Sequence, residues 1–321
     1  MRRGFRLLRA FIASLLAIVA GGALAAESGR DPPLVLVDLA TEYGDFYDRT
    51  TELDAAARVE AFKAHFGPRF PGFYDAARLA ALTTPAGYDA LIARSFSAFP
   101  ELRPRYEATV AGFASMLGSA RDSFVSEFPD FRPSGGLYLL HSVGEMDGGI
   151  RTIGGQRHLV FGADVMARIH EPGRARPFFH HELFHAYHAQ FFPGCEAVWC
   201  ALWAEGLAVF AGDTLNPGAT DAELLLTLPR PIRQEVEARR REAVCTVRVR
   251  LDSSSPEDYA PLFTGRKSLD GLPPRFGYYV GYLAAREARR TRTLSELAHL
   301  DRSEARDVLD AALASLAECP G

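Results

Sequence analysis

Residues 178–188 contain the pattern His-Glu-x-x-His, from His181 to His185, and this pattern constrains the fold more than any other feature of the chain. On an α-helix, residues four positions apart lie on one face. His181 and His185 can therefore direct two imidazoles at one metal ion, with Glu182 beside the open side of that ion. A hydrolytic zinc site needs neutral imidazoles, a free position for water and a carboxylate to take its proton. The alternative is an amphipathic helix whose histidines are ordinary, partly buried residues.

A third metal ligand would distinguish these two interpretations. In one large family of such enzymes, the motif continues to a third histidine after a glycine that breaks the helix. His188 occupies the position of that glycine here. An unbroken helix would carry His188 about 10 Å along the axis from His181, at about 1.5 Å per residue. Three imidazoles would not meet at one ion, and this excludes a third histidine ligand.

The segment that follows offers a carboxylate instead. Pro193-Gly194 indicates a helix stop and turn, and residues 197–210 indicate a buried helix with Glu205 as the lone carboxylate in its middle. The chain covers about 10 Å from His185 to the turn and a similar distance back. An antiparallel helical hairpin would thus bring Glu205 beside the histidines. A carboxylate in so apolar a helix is costly unless it is paired or bound to metal.

These two motifs, His181-Glu182-x-x-His185 and Glu205-Gly206-Leu207-Ala208 after Trp203-Ala204, resemble the gluzincins. They are more closely similar to a group of bacterial proteins described as predicted zinc-dependent proteases. The resemblance is concentrated between about residues 135 and 282. It implies a zincin-like fold in which His181, His185 and Glu205 bind one zinc ion per chain, and Glu182 is the general base and acid.

Two further roles follow from the resemblance less directly. Thermolysin-like enzymes place an aspartate four residues after the ligand glutamate to orient a ligand histidine, but this chain has Val209 there. The orienting residue is then either supplied from elsewhere, with Asp213 as a candidate, or absent. A zinc peptidase also needs a donor for the developing oxyanion. Tyrosine-rich Gly-Tyr segments occur downstream in the similar proteins, which makes Tyr278 the first candidate. The next candidates are Tyr279, Arg275 and His188, and for each of the four residues a packing role is the alternative.

Residues 1–25 have the features of an export signal. Four arginines give a basic start, residues 11–19 are apolar, and Ala23-Leu24-Ala25 is a small-x-small cleavage site, so we expect cleavage before Ala26. The apolar run is short for a stable membrane span. Arg2-Arg3 faintly resembles a twin-arginine signal; an ordinary secretion signal and an uncleaved anchor are the alternatives. The leader predicts a periplasmic or secreted protein without stable membrane insertion.

The charge of the mature chain excludes one class of partner. Removal of the leader's four arginines, with no acidic residue, takes the formal net charge from −4 to −8 and leaves 296 residues. A chain with this excess of acidic over basic residues lacks the basic surface that nucleic-acid binding requires. The expected partner is a peptide or protein substrate.

The chain contains four cysteines, an even number that permits two disulfides in a protein predicted to be exported. We expect Cys195 to pair with Cys200, and Cys245 with Cys319. The first pair requires Cys195 to lie in the turn, because positions five apart in a regular helix are too far apart for good disulfide geometry. Free buried thiols are the alternative.

The rest of the chain predicts an α+β fold that is mainly helical. A helical N-terminal region, residues 26–132, has helices at 55–66, 88–99 and 106–128, preceded by a short strand at 34–37. The catalytic region, residues 133–321, is either separate from the N-terminal region or continuous with it.

Strands at 137–143, 148–155 and 158–162 predict a small sheet packed beside the active-site helix. The second or third strand is a candidate edge for an extended substrate; flexible hairpin glycines are the alternative. Later helices are expected within 235–244 and 293–316.

The sequence therefore predicts an exported zinc-dependent metallopeptidase that hydrolyses peptide bonds with a zinc-bound water activated by Glu182. Another zinc amide hydrolase, acting for example on cell-wall peptides, could use the same residues. A non-catalytic zinc-containing envelope binding protein is the other alternative. Glu182 argues against it, because a purely structural site needs no base and closes its fourth position.

Overall fold

The computed structural model of the protein describes residues 35–79 and 83–319. These residues divide into two compact units. Unit 1 comprises residues 1–116 and 132–173, and unit 2 comprises residues 117–131 and 174–321, so far as they are described. The predicted leader, residues 1–25, lies outside the described residues. The strands after residue 132 belong with the N-terminal helices, whereas the regions predicted from the sequence divide at that residue.

Unit 1 combines a four-stranded sheet with helices. Its elements are β1 (Leu36–Asp38), α1 (Ala40–Arg49), α2 (Ala55–Phe66), the first part of α3 (Pro85–Glu127), β2 (Leu137–Leu140), β3 (Gly148–Ile153), β4 (Gln156–Gly162) and α4 (Ala163–Ile169).

The three strands predicted after residue 132 are confirmed. The strand order is β1-β2-β4-β3, with β1, β2 and β4 parallel and β3 antiparallel to β4. Because β4 pairs with a strand on each side, only β3 of the two candidate substrate strands lies at an edge.

Aromatic side chains form the core of unit 1. Tyr43, Phe62 and Phe99 are at most 1% exposed. The ring of Tyr43 packs edge-on against Phe99 at 5.0 Å and against Phe62 at 6.3 Å between centroids. Edge-to-face pairs of this kind add to the free energy gained from burial. The aromatic residues of this region are thus core residues, as the sequence indicated.

Helix α3 differs from the prediction of two helices separated at Phe99-Pro100. It is continuous from Pro85 to Glu127 and contains Pro100 and Pro104. Each proline removes one backbone hydrogen bond, which normally ends or kinks a helix. Phe99 and Tyr106, on either side of the prolines, are buried and pack together at 5.2 Å. Their shared burial holds the helix together where its local sequence would interrupt it.

Unit 2 is helical in its described part and contains both predicted active-site helices. The helices expected at 235–244 and 293–316 are each two shorter helices. Thr293 and Asp301 cap the second pair, and each has a reciprocal glutamate three residues later. Besides the end of α3, the helices of unit 2 are α5 (Arg176–His188), α6 (Val198–Thr214), α7 (Ile232–Ala238), α8 (Arg240–Arg248), α9 (Pro256–Phe263), α10 (Phe276–Ala288), α11 (Leu294–Ala298) and α12 (Arg302–Leu316).

Both predicted disulfides are present in unit 2. Cys195 pairs with Cys200 and Cys245 with Cys319, with Cα atoms 5.6 and 5.5 Å apart. Cys195 precedes the start of α6, which meets the requirement that it lie in the turn. The first disulfide closes the connection between α5 and α6, and the second ties α8 to the C-terminal segment. No helix within residues 35–79 and 83–319 is long and apolar enough to span a bilayer.

Candidate metal centre

Helix α5 presents its two motif histidines on a partly exposed face. A proline stands in its first turn, where the missing N–H group would have no partner in the helix. Leu183 and Tyr187 are at most 1% exposed and hold the opposite side of the helix in the core of unit 2. The side chains of His181 and His185 remain 17% and 19% exposed. The sequence pattern thus sets both the helix and the face that carries the imidazoles.

Helix α6 returns antiparallel to α5 and carries Glu205 to the same place. The first backbone N–H groups of α6, at Val198 and Trp199, donate to carbonyls of the 251–253 loop at 2.8 and 3.0 Å. Such groups have no partner within a helix, so this loop fixes where α6 begins. Glu205 lies two turns further along and keeps 21% of its side chain exposed.

The three predicted ligands meet in one small triangle of donor atoms. Nε2 of His185 lies 3.0 Å from Nε2 of His181 and 3.2 Å from Oε2 of Glu205. The third side, from Nε2 of His181 to Oε2 of Glu205, measures 3.4 Å. Among the described residues, this is the only group of three or more His, Cys, Asp or Glu side chains close enough to hold a metal ion.

The size and chemistry of this triangle fit zinc. Donors bound at about 2.0–2.1 Å to a tetrahedral zinc ion lie about 3.3–3.4 Å from one another. The observed sides of 3.0, 3.2 and 3.4 Å are close to that edge length. Two imidazoles and one carboxylate are also a ligand set of catalytic zinc sites, in which the fourth position stays open. The residues present therefore suit one zinc ion.

Electrostatics within the triangle favour a charged carboxylate. Burial raises the pKa of Glu205, but His185 and His181 outweigh it and hold that pKa well below its usual value. Burial lowers the pKa of His185, but the Glu205 carboxylate outweighs it and raises that pKa to about 9. The charged carboxylate is the form that binds a metal ion, and binding would also require both imidazoles to be neutral, because only the neutral imidazole is a ligand.

Glu182, the predicted base, lies beside this triangle and not within it. Its side chain is buried, with 6% of its surface exposed. Its carboxylate acts on two neighbours, since it contributes to raising the pKa of both His185 and Tyr278. A second acidic group therefore stands near the donor atoms without being one of them. This is the position that a proton carrier needs.

Tyr278, the predicted oxyanion donor, reaches the same neighbourhood from α10. Burial raises its pKa well above the ordinary value, and the carboxylates of Glu205 and Glu182 raise it further. The phenol therefore keeps its proton and remains a hydrogen-bond donor. Its ring packs against Phe263 at 5.9 Å, and the guanidinium of Arg275 lies 4.6 Å from the ring centroid.

A second tyrosine, which the sequence did not indicate, accompanies Tyr278. Tyr259 on α9 packs against Phe263 at 4.9 Å, so one phenylalanine separates the two tyrosines. Burial raises the pKa of Tyr259, and Glu205 contributes to the increase. Its helix begins with Ser255 as N-cap and Pro256 in the first turn. No motif links this segment to the histidines, and only the tertiary fold brings it near Glu205.

Of the other candidates for the oxyanion donor, Arg275 packs on the ring of Tyr278, whereas Tyr279 and His188 have different surroundings. The hydroxyl of Tyr279 donates to Glu237 at 2.5 Å, and the ring of His188 stacks on Phe192 at 4.9 Å. His188 is buried, and burial lowers its pKa to about 3. It is not among the metal-binding group, in agreement with its distance along the helix.

Asp213, the candidate for orienting a ligand histidine, has another partner. Its carboxylate accepts a hydrogen bond from the hydroxyl of Tyr282 at 2.7 Å. This bond joins α6 to α10. Val209, where thermolysin-like enzymes carry an aspartate, is 2% exposed and packs in the core.

Two glycines allow α6 and α10 to touch backbone to backbone beside Glu205. A Cβ atom on Gly206 would lie 2.3 Å from the carbonyl carbon of Gly281. A Cβ atom on Gly281 would in turn lie 2.5 Å from the carbonyl oxygen of Leu202. Any side chain at either position would push the helices apart. Since Glu205 precedes Gly206 and Tyr278 lies one turn before Gly281, this crossing sets how closely the two side chains approach.

Comparison of the chain with protein-family models, with curated proteins and with solved structures finds no match. The assignment of a function to this site therefore depends on its residues and their geometry.

Proposed function

We propose that this protein is a zinc-dependent metallopeptidase with a zincin-like active site of the gluzincin type. His181, His185 and Glu205 hold one zinc ion, and Glu182 carries the proton. The observation that supports the proposal is the triangle of three donor atoms, with sides of 3.0 to 3.4 Å, near a second carboxylate, that of Glu182, which is buried. A structural zinc site would close its fourth position and would need no such base.

Each residue has a chemical task in this proposal. A zinc ion, when bound, polarises a carbonyl group and lowers the pKa of a water molecule. Glu182 takes one proton from the attacking water as the water oxygen adds to the scissile carbonyl carbon. It then gives this proton to the amine nitrogen as the C–N bond breaks. Tyr278 donates its phenolic proton in a hydrogen bond to the oxyanion that forms on the former carbonyl oxygen.

The proposal also covers the place of action. Disulfides form and persist in oxidising compartments such as the periplasm or the extracellular space, and this chain has two. The basic and apolar leader gives the second argument for export. A peptide or protein substrate in the periplasm or outside the cell follows from both.

Hydrolysis of a mixed peptide library that includes cell-wall peptides tests the proposal. We expect cleavage by the zinc-loaded protein, abolition by a chelator and restoration by zinc. Glu182→Gln should reduce kcat/KM by about 10²- to 10⁴-fold, because it removes the general base. The matched control is Glu196→Gln, which changes an exposed glutamate between the two ligand helices and should leave cleavage unchanged. Equal activity of the Glu182→Gln variant and the wild type would contradict the proposal.

A further inference from the structure

His180, the residue before the first ligand, is buried completely and uses both ring nitrogens. Its Nδ1 lies 2.7 Å from the side-chain nitrogen of Asn216. Its Nε2 lies 3.0 Å from the carbonyl oxygen of Ala120 and 2.9 Å from the hydroxyl of Ser123. The imidazole thus joins α5 to the end of α3 and to the turn after α6. Neither nitrogen remains to bind a metal or a substrate.

The partners determine which nitrogen carries the proton. The same Asn216 nitrogen lies 2.6 Å from the carbonyl oxygen of Gly212, and a carbonyl only accepts. This atom is therefore the amide NH₂ group, which has two protons and also donates to Nδ1 of His180. Nε2 then carries the ring proton and donates to Ala120. Every hydrogen bond in this set has one donor and one acceptor when the imidazole is neutral.

These contacts close the open end of the hairpin that supplies all three ligands. Two ligands are on α5 and the third is on α6. The Cys195–Cys200 disulfide closes the connected end, and the bonds from His180 through Asn216 to Gly212 span the opposite end. Gly212 itself packs tightly, since a Cβ atom there would lie 2.9 Å from the carbonyl oxygen of Pro177. We call His180 and Asn216 the helix clasp.

We infer that the helix clasp is a positioning device for the metal site, which fixes the separation and register of α5 and α6 so that Glu205 meets the two histidines. The inference rests on the proposed zinc site and adds two residues that touch neither the metal nor the substrate. Metal–ligand distances tolerate only about 0.2 Å of variation. A small slide of α6 along α5 is therefore enough to weaken the site, and the clasp opposes that slide.

Zinc affinity and the visible spectrum of the cobalt-substituted protein test this inference without any activity assay. We expect His180→Phe and Asn216→Leu each to weaken zinc binding by about tenfold, comparable to the loss of one hydrogen bond, and to change the cobalt d–d bands. His180→Gln, which keeps one donor and one acceptor, should restore much of both properties. The double variant should bind zinc no more weakly than the worse single variant, because the two residues act as one unit.

A matched control separates positioning from loss of stability. Val236→Ala removes methyl groups from a fully buried position on α7, and it should lower the stability of unit 2 while leaving the cobalt spectrum unchanged. Asn216→Ala is the milder second variant if His180→Phe does not fold. Wild-type zinc affinity and an unchanged spectrum in a folded clasp variant would overturn the inference and leave the proposed function standing. A wild-type protein that binds neither zinc nor cobalt would overturn both.

Discussion

At the scale of single residues, the hydroxyl group of Tyr278 is the proposed donor to the oxyanion. Tyr278 is one of two adjacent tyrosines on α10, and different carboxylates lie near their hydroxyl groups. Burial and the carboxylates of Glu205 and Glu182 keep the phenol of Tyr278 protonated, whereas Tyr279 donates to Glu237 at 2.5 Å. Tyr279 is therefore an internal control for the proposed role of Tyr278 as the oxyanion donor.

We predict that Tyr278→Phe lowers kcat by about 10²- to 10³-fold, because it removes one donor to the oxyanion, and leaves the zinc content unchanged. Tyr279→Phe should have little effect on kcat and should instead reduce stability through loss of the bond to Glu237. Steady-state kinetics and metal analysis of the two variants make the comparison. Equal activity losses in both would argue for a packing role at each position.

The residues of the site differed in how far the sequence could predict them. His181, His185 and Glu205 lie within 25 residues of one another, and helix periodicity with one turn is enough to bring them together. Tyr278 was indicated only by resemblance to other proteins, because no local pattern connects α10 with α5. Tyr259 and the His180–Asn216 bond depend on how separate helices pack, and a single sequence does not encode that packing in its periodicity.

His141 provides a residue-scale prediction about pH in unit 1. It is 1% exposed, it stacks on Tyr43 at 3.6 Å, and neither ring nitrogen has a hydrogen-bond partner within the described ranges. Burial lowers its pKa from 6.5 to about 4, although Asp164 at 3.9 Å opposes the change. The unfolded chain therefore binds more protons than the folded chain between pH 6.5 and 4. Stability is complete above this window and falls as the pH is lowered through it.

We predict that His141→Phe removes this part of the acid sensitivity. The wild type should lose about 2 kcal/mol more unfolding free energy than the variant between pH 7 and pH 5, since one pKa unit corresponds to about 1.4 kcal/mol. The variant keeps an aromatic ring against Tyr43 and gives up no hydrogen bond of the imidazole. Urea denaturation at the two pH values measures the difference, and parallel losses in the two proteins would show that His141 is not responsible.

At the scale of helices, the crossing of α6 and α10 is the feature on which the site depends. The two backbones touch at Gly206 and Gly281, and Glu205 and Tyr278 project from the same two helices. Alanine normally stabilises a helix interior relative to glycine by about 0.5–1 kcal/mol. At this crossing the effect should be reversed, because the added methyl group would meet backbone atoms that have no room to move.

We predict that Gly206→Ala destabilises unit 2 by about 2 kcal/mol or more, as in overpacked cores, and weakens zinc binding. Gly118→Ala is the matched control. It makes the same substitution inside a helix, but nothing lies within 4 Å of the added Cβ atom, so it should raise stability slightly and leave zinc affinity unchanged. Denaturation curves and zinc titrations of both variants give the comparison. A stable Gly206→Ala variant with normal zinc affinity would show that the helices can separate without cost.

The elements themselves were predictable where local signals were strong. The strands 137–140, 148–153 and 156–162 follow from alternation and glycine boundaries, and α2 matches its predicted range. Helix α3 was missed as one element because local rules end a helix at proline, while the packing of Phe99 against Tyr106 keeps it continuous. The break at Arg239 between α7 and α8 was also missed, because the charged residues around it suit a helix on either side.

At the scale of the whole chain, two disulfides of very different span constrain the unfolded state. Cys195–Cys200 closes a separation of 5 residues, and Cys245–Cys319 closes one of 74. In the chain-entropy model, the stabilisation grows with the length of the closed loop. The two bonds should therefore contribute unequally to stability, although both lie in unit 2.

We predict that the pair of changes Cys245→Ser and Cys319→Ser lowers the unfolding free energy by about 4 kcal/mol, and the pair Cys195→Ser and Cys200→Ser by about 2 kcal/mol. Guanidinium denaturation of the two double variants measures both losses. Equal losses, or a larger loss from the short loop, would contradict the entropic explanation. If the short loop gives the larger loss, zinc titration would show whether the Cys195–Cys200 disulfide stabilises the ligand hairpin in the native state.

The central claim is that one zinc ion is held by two helices through His181, His185 and Glu205, while Glu182 is not a ligand and transfers the proton. Elemental analysis of bound metal in the purified protein tests it most directly, with wild type, Glu205→Gln and Glu182→Gln measured side by side. The account predicts one zinc per chain in the wild type, weakened binding in Glu205→Gln and full retention in Glu182→Gln. A wild-type protein that takes up no zinc even after reconstitution would contradict it.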